Sequence, residues 1–498
     1  MKDVCRVVSI YSNVSLDGRM EYSVNLAASI AKVTEKKVAF IDDTGQIKDI
    51  SQEAGIELLK PLEADQDILE AYKKVYDYIV INMSDRPREV LYDVLSSSDS
   101  LHFFVGSTAD NLKDARVFLE DLIKNGQEEI IKRAKIVIYR LDVFDKLSEE
   151  EMSWLLKKDI WAMVPEPGLL DPLIGAGGIP AVLRSSFTPY SIAVLRIAKK
   201  ETGKLLGLAL GSGAAFGLAH IGVLKVIEES RIPIDIISGS SIGALIASMW
   251  GLGLPSEKIE QFAKGLKDKL NVMRLLDFTI PISGILAGSR LKIFLRDILG
   301  EKMFEDLKIP VKIIVYDLAN RETIIMDKGP LLDAVFMSIA VPGIFAPQVK
   351  KDRVFIDGGV SDPVPVDILL KNGVNKIIAV NVLPGPEDIY RRNMAVKKRL
   401  KEEECQMHNG PFYIKIALMV KRFFRKIFTP NIFDVIMTSM QSMEYMLAEN
   451  SCRKASLTLH PVFADATSID FHLAKSFIEK GREEAILYIK EIKRLASQ

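Results

Sequence analysis

The stretch IDIISGSSIGALIASMWGL, residues 234–252, decides the fold of its half of the chain. It opens with an apolar run typical of a buried strand and ends with small and apolar residues typical of a helix. Between them stands GSSIG, residues 239–243, which has the form G-x-S-x-G. A sharp turn here lifts the Ser241 hydroxyl out of the sheet, and a side chain at Gly239 or Gly243 would collide with backbone. The context favours a serine nucleophile in an α/β domain over an ordinary glycine-rich turn.

A second glycine-rich turn lies upstream, in LLGLALGSGAAFGLAHIGVLKVIEE, residues 205–229. Gly211, Gly213 and Gly217 let the backbone turn tightly and expose N–H groups, which can bind a phosphate or an oxyanion. Their spacing is one residue longer than the dinucleotide fingerprint G-x-G-x-x-G, and no acidic residue follows at the distance that the fingerprint needs. The sequence therefore favours an oxyanion hole over a nucleotide site.

A third element is KDRVFIDGGVSDPVPVDILLKNG, residues 351–373. A predicted strand ends at Asp357, and Gly358 and Gly359 follow where a larger residue would block approach. An aspartate at the end of a strand is well placed to accept a proton from a serine. The alternative is an Asx turn, for which Asp-Gly-Gly is common. Taken alone, this segment favours the turn.

Together, and in this order, the three elements resemble those of patatin-like phospholipases. The resemblance covers roughly residues 205–480 and includes SIAVPGIFAP at 338–347 and SIDFHLAKSFIEKGREEA at 468–485. The combination is far more specific than any one of its motifs, because each motif alone also occurs in unrelated turns. The resemblance implies a serine acyl-ester hydrolase that cleaves lipid esters without a metal ion or cofactor.

The same resemblance assigns roles to individual residues. Ser241 attacks the ester carbonyl, Asp357 accepts its proton directly, and water later releases the acyl group. The backbone amides of Gly213 and Ala214 stabilise the tetrahedral oxyanion. The remaining motif positions are structural glycines, namely Gly211, Gly217, Gly239, Gly243, Gly358 and Gly359.

Two residues of the glycine-rich segment need separate interpretation. The family places arginine or lysine just before the glycine that corresponds to Gly217, and this chain has Phe216. If the basic residue holds the loop or the lipid phosphate, Phe216 removes that contribution, and neutral lipids or thioesters become more plausible substrates. His220, on the following helix, is predicted to be a buried structural histidine rather than a catalytic one.

The first 200 residues alternate β-rich runs with helical patterns, which predicts a parallel, doubly wound sheet. Their order and spacing resemble MinD/ParA-type P-loop ATPases over residues 5–200. In that family the loop supplies two lysines, three glycines and a Ser/Thr hydroxyl. The corresponding positions here are Val14, Ser15, Leu16, Asp17, Gly18, Arg19 and Met20.

The substitutions in this loop remove the chemistry of a nucleotide site. Val14 offers no charge to a phosphate, and Met20 has no hydroxyl for Mg²⁺. Arg19 keeps the charge but not the compact ammonium group of lysine. Asn82 stands where the family has an aspartate. We therefore predict no Mg²⁺-dependent ATP hydrolysis, and a docking, self-association or regulatory role for this domain.

Composition limits the classes of function and the cellular compartments that fit this sequence. The 498 residues contain 66 Lys+Arg and 66 Asp+Glu, so no global charge points to nucleic acid. The three cysteines have no disulfide or metal spacing, which fits a reducing compartment. No signal peptide and no apolar run of membrane-spanning length is visible. These features predict a cytoplasmic protein.

The predicted fold is two three-layer α/β domains with a helical C-terminal region. The predicted boundaries are residues 1–200, 201–390 and 391–498. Within the last part, residues 412–428 read FYIKIALMVKRFFRKIF, a basic amphipathic pattern. It is consistent with a helix lying on an anionic membrane surface or with one packed on the catalytic domain. A scaffold that recruits a partner through residues 1–200 is the alternative to an active lipase.

Overall fold

The computed structural model describes residues 4–14, 18–62, 66–84, 86–140, 147–166, 179–265, 277, 284–391, 394, 432–461 and 466–497. The chain forms two compact units, Met1–Lys204 and Leu205–Gln498. The segment 412–428 lies outside the described residues. Among the described helices, none combines the length and the apolar character needed to cross a bilayer.

The first unit is built on a parallel sheet of seven strands in the order β3-β2-β4-β1-β5-β6-β7. Strand β1 lies at the centre of this sheet, and its residues from Val7 to Tyr11 are buried, as in a parallel strand covered on both faces. The strands are β1 Arg6–Tyr11, β2 Val38–Asp42, β3 Ile56–Leu59, β4 Tyr78–Asn82, β5 Ser100–Gly106, β6 Ala134–Arg140 and β7 Ile160–Pro165.

Eight helices accompany this sheet among the described residues. Several begin at a Ser or Thr whose side chain accepts a backbone N–H, as Thr108 and Ser148 do. The helices are α1 Gly18–Thr34, α2 Gln66–Lys73, α3 Arg88–Ser96, α4 Ala109–Lys124, α5 Glu128–Arg133, α6 Glu149–Leu156, α7 Ala181–Arg184 and α8 Pro189–Glu201.

Alternation along the strands divides the core of this unit between the two faces of the sheet. In β1, Val7 and Tyr11 belong to one hydrophobic cluster, which also contains residues of α4 and α6. Val8 and Ile10 belong to a second cluster, which contains residues of α1 and α8. Helices therefore cover both faces, and the predicted three-layer α/β architecture is confirmed.

The second unit has a mixed sheet in the order β14-β15-β11-β9-β8-β16-β17, with β12 paired to β11. The five strands β8, β9, β11, β16 and β17 are parallel, whereas β12 and β15 run antiparallel to β11. Strands β10 and β13 form a separate parallel pair. The strands are β8 Leu206–Leu210, β9 Ile236–Ser240, β10 Gly284–Leu286, β11 Val311–Asp317, β12 Glu322–Met326, β13 Gly343–Phe345, β14 Gln348–Lys350, β15 Arg353–Asp357, β16 Lys376–Val380 and β17 Leu457–Leu459.

The helices described in this unit also lie on both faces of the sheet. One large cluster contains residues of α9, α10 and α16, and a smaller one contains residues of α14 and α15. The helices are α9 Ala219–Glu229, α10 Ile242–Gly251, α11 Ser256–Gly265, α12 Ser289–Leu299, α13 Leu331–Ser338, α14 Val366–Lys371, α15 Ile432–Cys452, α16 Ala474–Leu487 and α17 Ile489–Ser497.

The C-terminal part of the chain is integral to the second unit. Beyond its predicted helices it contributes β17, which pairs with β16 and extends the main sheet. Helix α16 packs closely on α9, since a Cβ on Gly222 would lie 1.9 Å from the carbonyl oxygen of Ile478. Only glycine permits this approach of two helix backbones. The C-terminal region thus helps to hold the helix that follows the glycine-rich loop.

Candidate active site

Ser241 lies at a tight turn between β9 and α10. Its backbone has φ 56° and ψ −126°, a conformation that a non-glycine residue adopts only under strain. A Cβ on Gly239 would lie 2.7 Å from Cα of Ala244, and one on Gly243 would lie 2.2 Å from the carbonyl oxygen of Leu210. Both glycines are therefore required by close backbone packing, as expected of a turn that presents a serine.

Gly243→Ala is expected to lower the free energy of unfolding by about 3 kcal/mol, because its added methyl group must displace the backbone of β8. Gly265→Ala is the matched control, since a Cβ there would have no heavy atom within 4 Å. Chemical denaturation of the two variants measures the difference. Equal stability of both variants would contradict the packing of this turn.

Ser241 and Asp357, 116 residues apart in sequence, are hydrogen-bonded to each other. The Ser241 hydroxyl donates to Oδ2 of Asp357 over 2.5 Å, and the other carboxylate oxygen accepts the N–H of Gly359 over 2.7 Å. Both side chains are buried, with 4% and 3% of their surface exposed. The geometry allows direct proton transfer from the serine to the aspartate.

Burial sets the acidity of this aspartate. Loss of solvation raises the pKa of Asp357 from 3.8 to about 7, although the hydrogen bonds from Ser241 and Gly359 act in the opposite direction. A carboxylate with this pKa is a stronger base than an ordinary aspartate, and it is ionised above neutral pH. No histidine is needed to bring a base into this range.

Ser338 and Ala340 hold the pair in place, and the sequence had assigned neither a role. The N–H of Ser241 donates to the Ser338 hydroxyl over 2.9 Å, which in turn donates to the carbonyl oxygen of Ile314 over 2.7 Å. The N–H of Asp357 donates to the carbonyl oxygen of Ala340 over 3.0 Å. The segment SIAVPGIFAP, which carried part of the resemblance, therefore contacts both members of the pair.

Two adjacent N–H groups of the glycine-rich loop have no acceptor among the described residues. Within the described part of the chain, the N–H groups of Gly213 and Ala214 make no hydrogen bond, whereas the two residues on either side donate to carbonyl oxygens. Gly213 has φ 157° and Ala214 has φ 49°, so the loop turns sharply at this point. Two free, adjacent donors on a constrained loop are suited to binding an oxyanion.

Close contacts place this loop beside the serine turn. A Cβ on Gly217 would lie 2.1 Å from Cγ2 of Ile242, the residue after Ser241. One on Gly359 would lie 2.6 Å from the Ser212 hydroxyl, which connects the loop to the turn after Asp357. Gly211 and Gly358 are also confined. A Cβ on Gly211 would lie 2.9 Å from the carbonyl oxygen of Val380, and one on Gly358 would lie 2.2 Å from that of Ile314. The structure thus brings all three sequence elements together.

His220 contacts the glycine-rich loop. Its Nε2 donates to the carbonyl oxygen of Gly211 over 2.8 Å, and the side chain is fully buried. Burial lowers the pKa of His220 to about 4, so the imidazole is neutral at physiological pH. This arrangement agrees with the structural role expected for His220 from the sequence.

Phe216 faces the hydrophobic core. It is 5% exposed, and its ring packs edge-on against Phe477 of α16 with the ring centroids 5.5 Å apart. The side chain that replaces the family's basic residue therefore anchors the loop to a helix. It supplies no charge that could bind a phosphate group.

In the first unit, polar residues at the ends of β2 and β4 bind one another. The Asn82 amide donates to Oδ1 of Asp42 over 2.8 Å, and Asp43 is paired with Arg86. A Cβ on Gly18, at the start of α1, would lie 2.4 Å from the Tyr139 ring. The loop positions 15–17 lie outside the described residues. Asp42, Asp43 and Asn82 are thus engaged in contacts within the protein.

The second unit as a whole has the layout of a serine hydrolase domain. A serine stands on a strand–helix turn of an α/β sheet, a carboxylate accepts its hydrogen bond, and a loop with free N–H groups lies alongside. Residues 208–370 match the family model of patatin-like phospholipases. The unit therefore contains a patatin-like phospholipase domain, and the resemblance found in the sequence is confirmed there.

Curated relatives support the same assignment. The chain is 36% identical over 190 residues to an uncharacterized NTE family protein of Mycobacterium bovis, a match covering 38% of this chain and 52% of that protein. It is 34% identical over 197 residues to neuropathy target esterase of Drosophila melanogaster, covering 39% of this chain and 14% of that protein. The chain thus spans about half, or less, of the length of these relatives.

A solved structure similar to this chain is the ParA family ATPase from Chlorobium tepidum. It has 16% sequence identity and a TM-score of 0.34, and the match covers 40% of this chain and 98% of that one. The first unit has the parallel sheet that was predicted from the sequence, and this finding rests on its seven strands alone.

Proposed function

We propose that the chain is a serine acyl-ester hydrolase that acts on lipid esters through Ser241 and Asp357. The observation that carries the proposal is the 2.5 Å hydrogen bond between these side chains at a strained strand–helix turn. The match of residues 208–370 to patatin-like phospholipases supports lipid esters as the substrate class.

The reaction begins with attack of Ser241 Oγ on the ester carbonyl carbon. Asp357 accepts the hydroxyl proton as the Oγ–C bond forms, and it returns this proton to the alcohol oxygen when the ester bond breaks. Water then attacks the acyl-enzyme, again losing a proton to Asp357, and the fatty acid leaves as the serine regains its hydroxyl. One carboxylate thus serves as base and acid in both halves of the reaction.

The tetrahedral intermediate in each half carries a negative charge on the former carbonyl oxygen. The N–H groups of Gly213 and Ala214 are the donors available to this oxygen. They are fixed before the reaction, because Gly213 is confined by Val382 and the N–H groups of Ala215 and Phe216 donate to carbonyl oxygens. Losing one such donor typically lowers kcat by about 10²–10³-fold.

An activity screen tests the proposal. The full chain is incubated with p-nitrophenyl acyl esters, monoacylglycerols, lysophospholipids and phospholipids, and release of alcohol or fatty acid is measured. We expect hydrolysis of at least one class by the wild type. Absence of hydrolysis across all four classes by folded protein would count against an active hydrolase and in favour of a scaffold.

The first unit is expected to lack ATPase activity. Met20 offers no hydroxyl to Mg²⁺, and the Asn82 amide is already bonded to Asp42. Calorimetric titration of the full chain with ATP and ADP, each with and without Mg²⁺, is expected to show no binding at micromolar concentrations. Micromolar affinity with phosphate release would contradict this expectation.

A further inference from the structure

A second acidic residue, Glu444, is buried on the inner face of α15, the helix that packs on the turn following Asp357. This helix presents exposed methionines outward, with Met443 61% and Met446 71% exposed, whereas Glu444 is 8% exposed. Ala448, one turn further along the same inward face, is fully buried. Helical periodicity thus directs the Glu444 side chain toward the sheet.

The inner face of α15 contacts both parts of the site. The helix packs against the 3₁₀ turn Gly358–Val360, which directly follows Asp357. One turn before Glu444, the Gln441 amide donates to the Ser468 hydroxyl over 3.3 Å, and the Ser468 carbonyl oxygen accepts the N–H of Ala215. Glu444 is therefore held between the turn after Asp357 and the segment that supports the glycine-rich loop.

Among the described residues, Asp357 is the group whose charge raises the pKa of the Glu444 carboxyl. None of the described residues forms a hydrogen bond with this carboxyl. Other titratable groups lie on the elements packed against α15. They are Asp362 before α14, Asp367 and Lys371 on α14, Asp388 after β16, and Asp470 beside Ser468. Asp367 is paired with Lys454, and Asp470 accepts from Thr467.

Two buried carboxyl groups that interact electrostatically cannot both be charged without a large energetic penalty. Burial raises the pKa of Glu444 to about 8, and the charge of Asp357 acts in the same direction. Asp357 is the member that ionises, because its carboxylate accepts hydrogen bonds from Ser241 and from the N–H of Gly359, whereas no described residue donates one to Glu444. When Asp357 is ionised and able to act as a base near neutral pH, Glu444 is therefore a neutral acid that can donate one hydrogen bond.

The charges of the described residues at this site favour substrates without an anionic group. Asp357 and Glu444 are both acidic, and the loop position where the family has a basic residue is occupied by the buried Phe216. A phosphate beside the scissile ester would meet the charge of Asp357 with no cation from this loop to compensate it. A hydroxyl or another uncharged polar group would accept the hydrogen bond from Glu444.

We propose that Glu444 is a specificity-determining residue of this site, which selects acyl esters that are uncharged beside the scissile bond by presenting a neutral acid next to Asp357. The inference rests on the proposed hydrolase function and narrows its substrate class to neutral lipid esters. As the pH rises through the ionisation of Glu444, a second negative charge develops next to Asp357. This charge disfavours the oxyanion of every substrate, and disfavours anionic substrates most.

The test compares wild type, Glu444→Gln and Glu449→Gln on two substrates with one acyl chain, 1-oleoylglycerol and its 3-phosphate. Glutamine keeps the size and hydrogen bonding of the neutral acid but cannot ionise. Glu449 lies on the same helix, with Asn381 3.5 Å from its carboxylate, and is the matched control. Values of kcat and KM are measured for both substrates from pH 6 to pH 9.5.

We expect the wild type to prefer the neutral ester and to lose activity above pH 8. We compare kcat/KM at pH 9 after dividing it, for each protein, by its value at pH 7.5. This ratio should be about tenfold higher for Glu444→Gln than for wild type, because the variant has no group at this position that ionises at alkaline pH. Its preference for the neutral ester at pH 9 should fall roughly tenfold. Glu449→Gln should keep the wild-type profile and preference.

Superimposable pH profiles and equal preferences for wild type and Glu444→Gln would overturn the proposal. Thermal unfolding verifies that this variant is folded; if it is not, Glu444→Asp replaces it and should retain an alkaline loss of activity. A folded Glu444→Asp without that loss would also overturn it. A wild type that hydrolyses no ester instead refutes the proposed function, so the two failures are distinguishable.

Discussion

Ser241→Ala is expected to lower kcat for ester hydrolysis by about 10⁴-fold or more, because the variant has no atom that can form the acyl-enzyme. The turn should remain folded, since the strained backbone is set by Gly239 and Gly243 and by the bond from the N–H of residue 241 to Ser338. Steady-state rates of wild type and variant on the best substrate give the measurement.

Ser248→Ala is the matched control for this variant. Ser248 lies on the helix that follows Ser241, is also buried, and donates to the carbonyl oxygen of Ala244 one turn earlier. Its loss should affect stability slightly and kcat by less than about threefold. A Ser241→Ala variant with a rate near that of Ser248→Ala would mean that hydrolysis occurs elsewhere.

Asp357→Asn is expected to lower kcat by about 10³–10⁴-fold, since a carboxamide of the same shape cannot accept the Ser241 proton. The same substitution should raise the free energy of unfolding at neutral and alkaline pH. The pKa of Asp357 is about 7 in the folded protein and near 3.8 when unfolded, so the folded state binds more protons between these values. Stability therefore falls as the pH rises from about 4 to about 7, and asparagine removes this loss.

The combined expectation is an inactive variant that unfolds, at pH 8, at the same temperature as wild type or a higher one. Asp362→Asn is the matched control, because burial also raises the pKa of Asp362 to about 7. It should show the same direction of stability change while retaining hydrolysis. Loss of activity accompanied by a lower melting temperature in Asp357→Asn would contradict the account.

Most strands were predictable because each coincides with a short apolar run in the sequence. Each of the runs VVSI, KVAFID, YDYIVIN, LHFFVGS and KIVIYRL overlaps one strand of the first unit, since buried parallel strands are largely apolar. Strand β17 was not predicted. Its three residues, Leu457–Leu459, gain their conformation from pairing with β16, about 80 positions earlier, which no local pattern records.

The site was predictable only where its chemistry is tied to a turn. Ser241 and Asp357 lie within two residues of glycines at which the backbone approaches another segment closely. Ser338 and Glu444 carry no such signature. Ser338 reaches Ser241 across 97 residues, and Glu444 lies near Asp357 only because α15 packs on the turn that follows it. Contacts of this range depend on the assembled sheet.

The first unit shows the limit of a resemblance based on order and spacing. Asp42, the last residue of β2, is bonded to Asn82, and the next residue, Asp43, is paired with Arg86. The frame of the fold needs only the apolar pattern, whereas phosphate chemistry needs particular side chains. The two can therefore diverge without loss of the sheet.

The most direct test of the account is covalent labelling by a fluorophosphonate probe, with the modified residue located by mass spectrometry. The full chain, Ser241→Ala and Asp357→Asn are treated at pH 7.5 alongside Ser248→Ala. The account predicts one modification, on Ser241, in wild type and in Ser248→Ala, with none in Ser241→Ala and slow labelling in Asp357→Asn. Equal labelling of wild type and Ser241→Ala, or a probe attached to another residue, would contradict it.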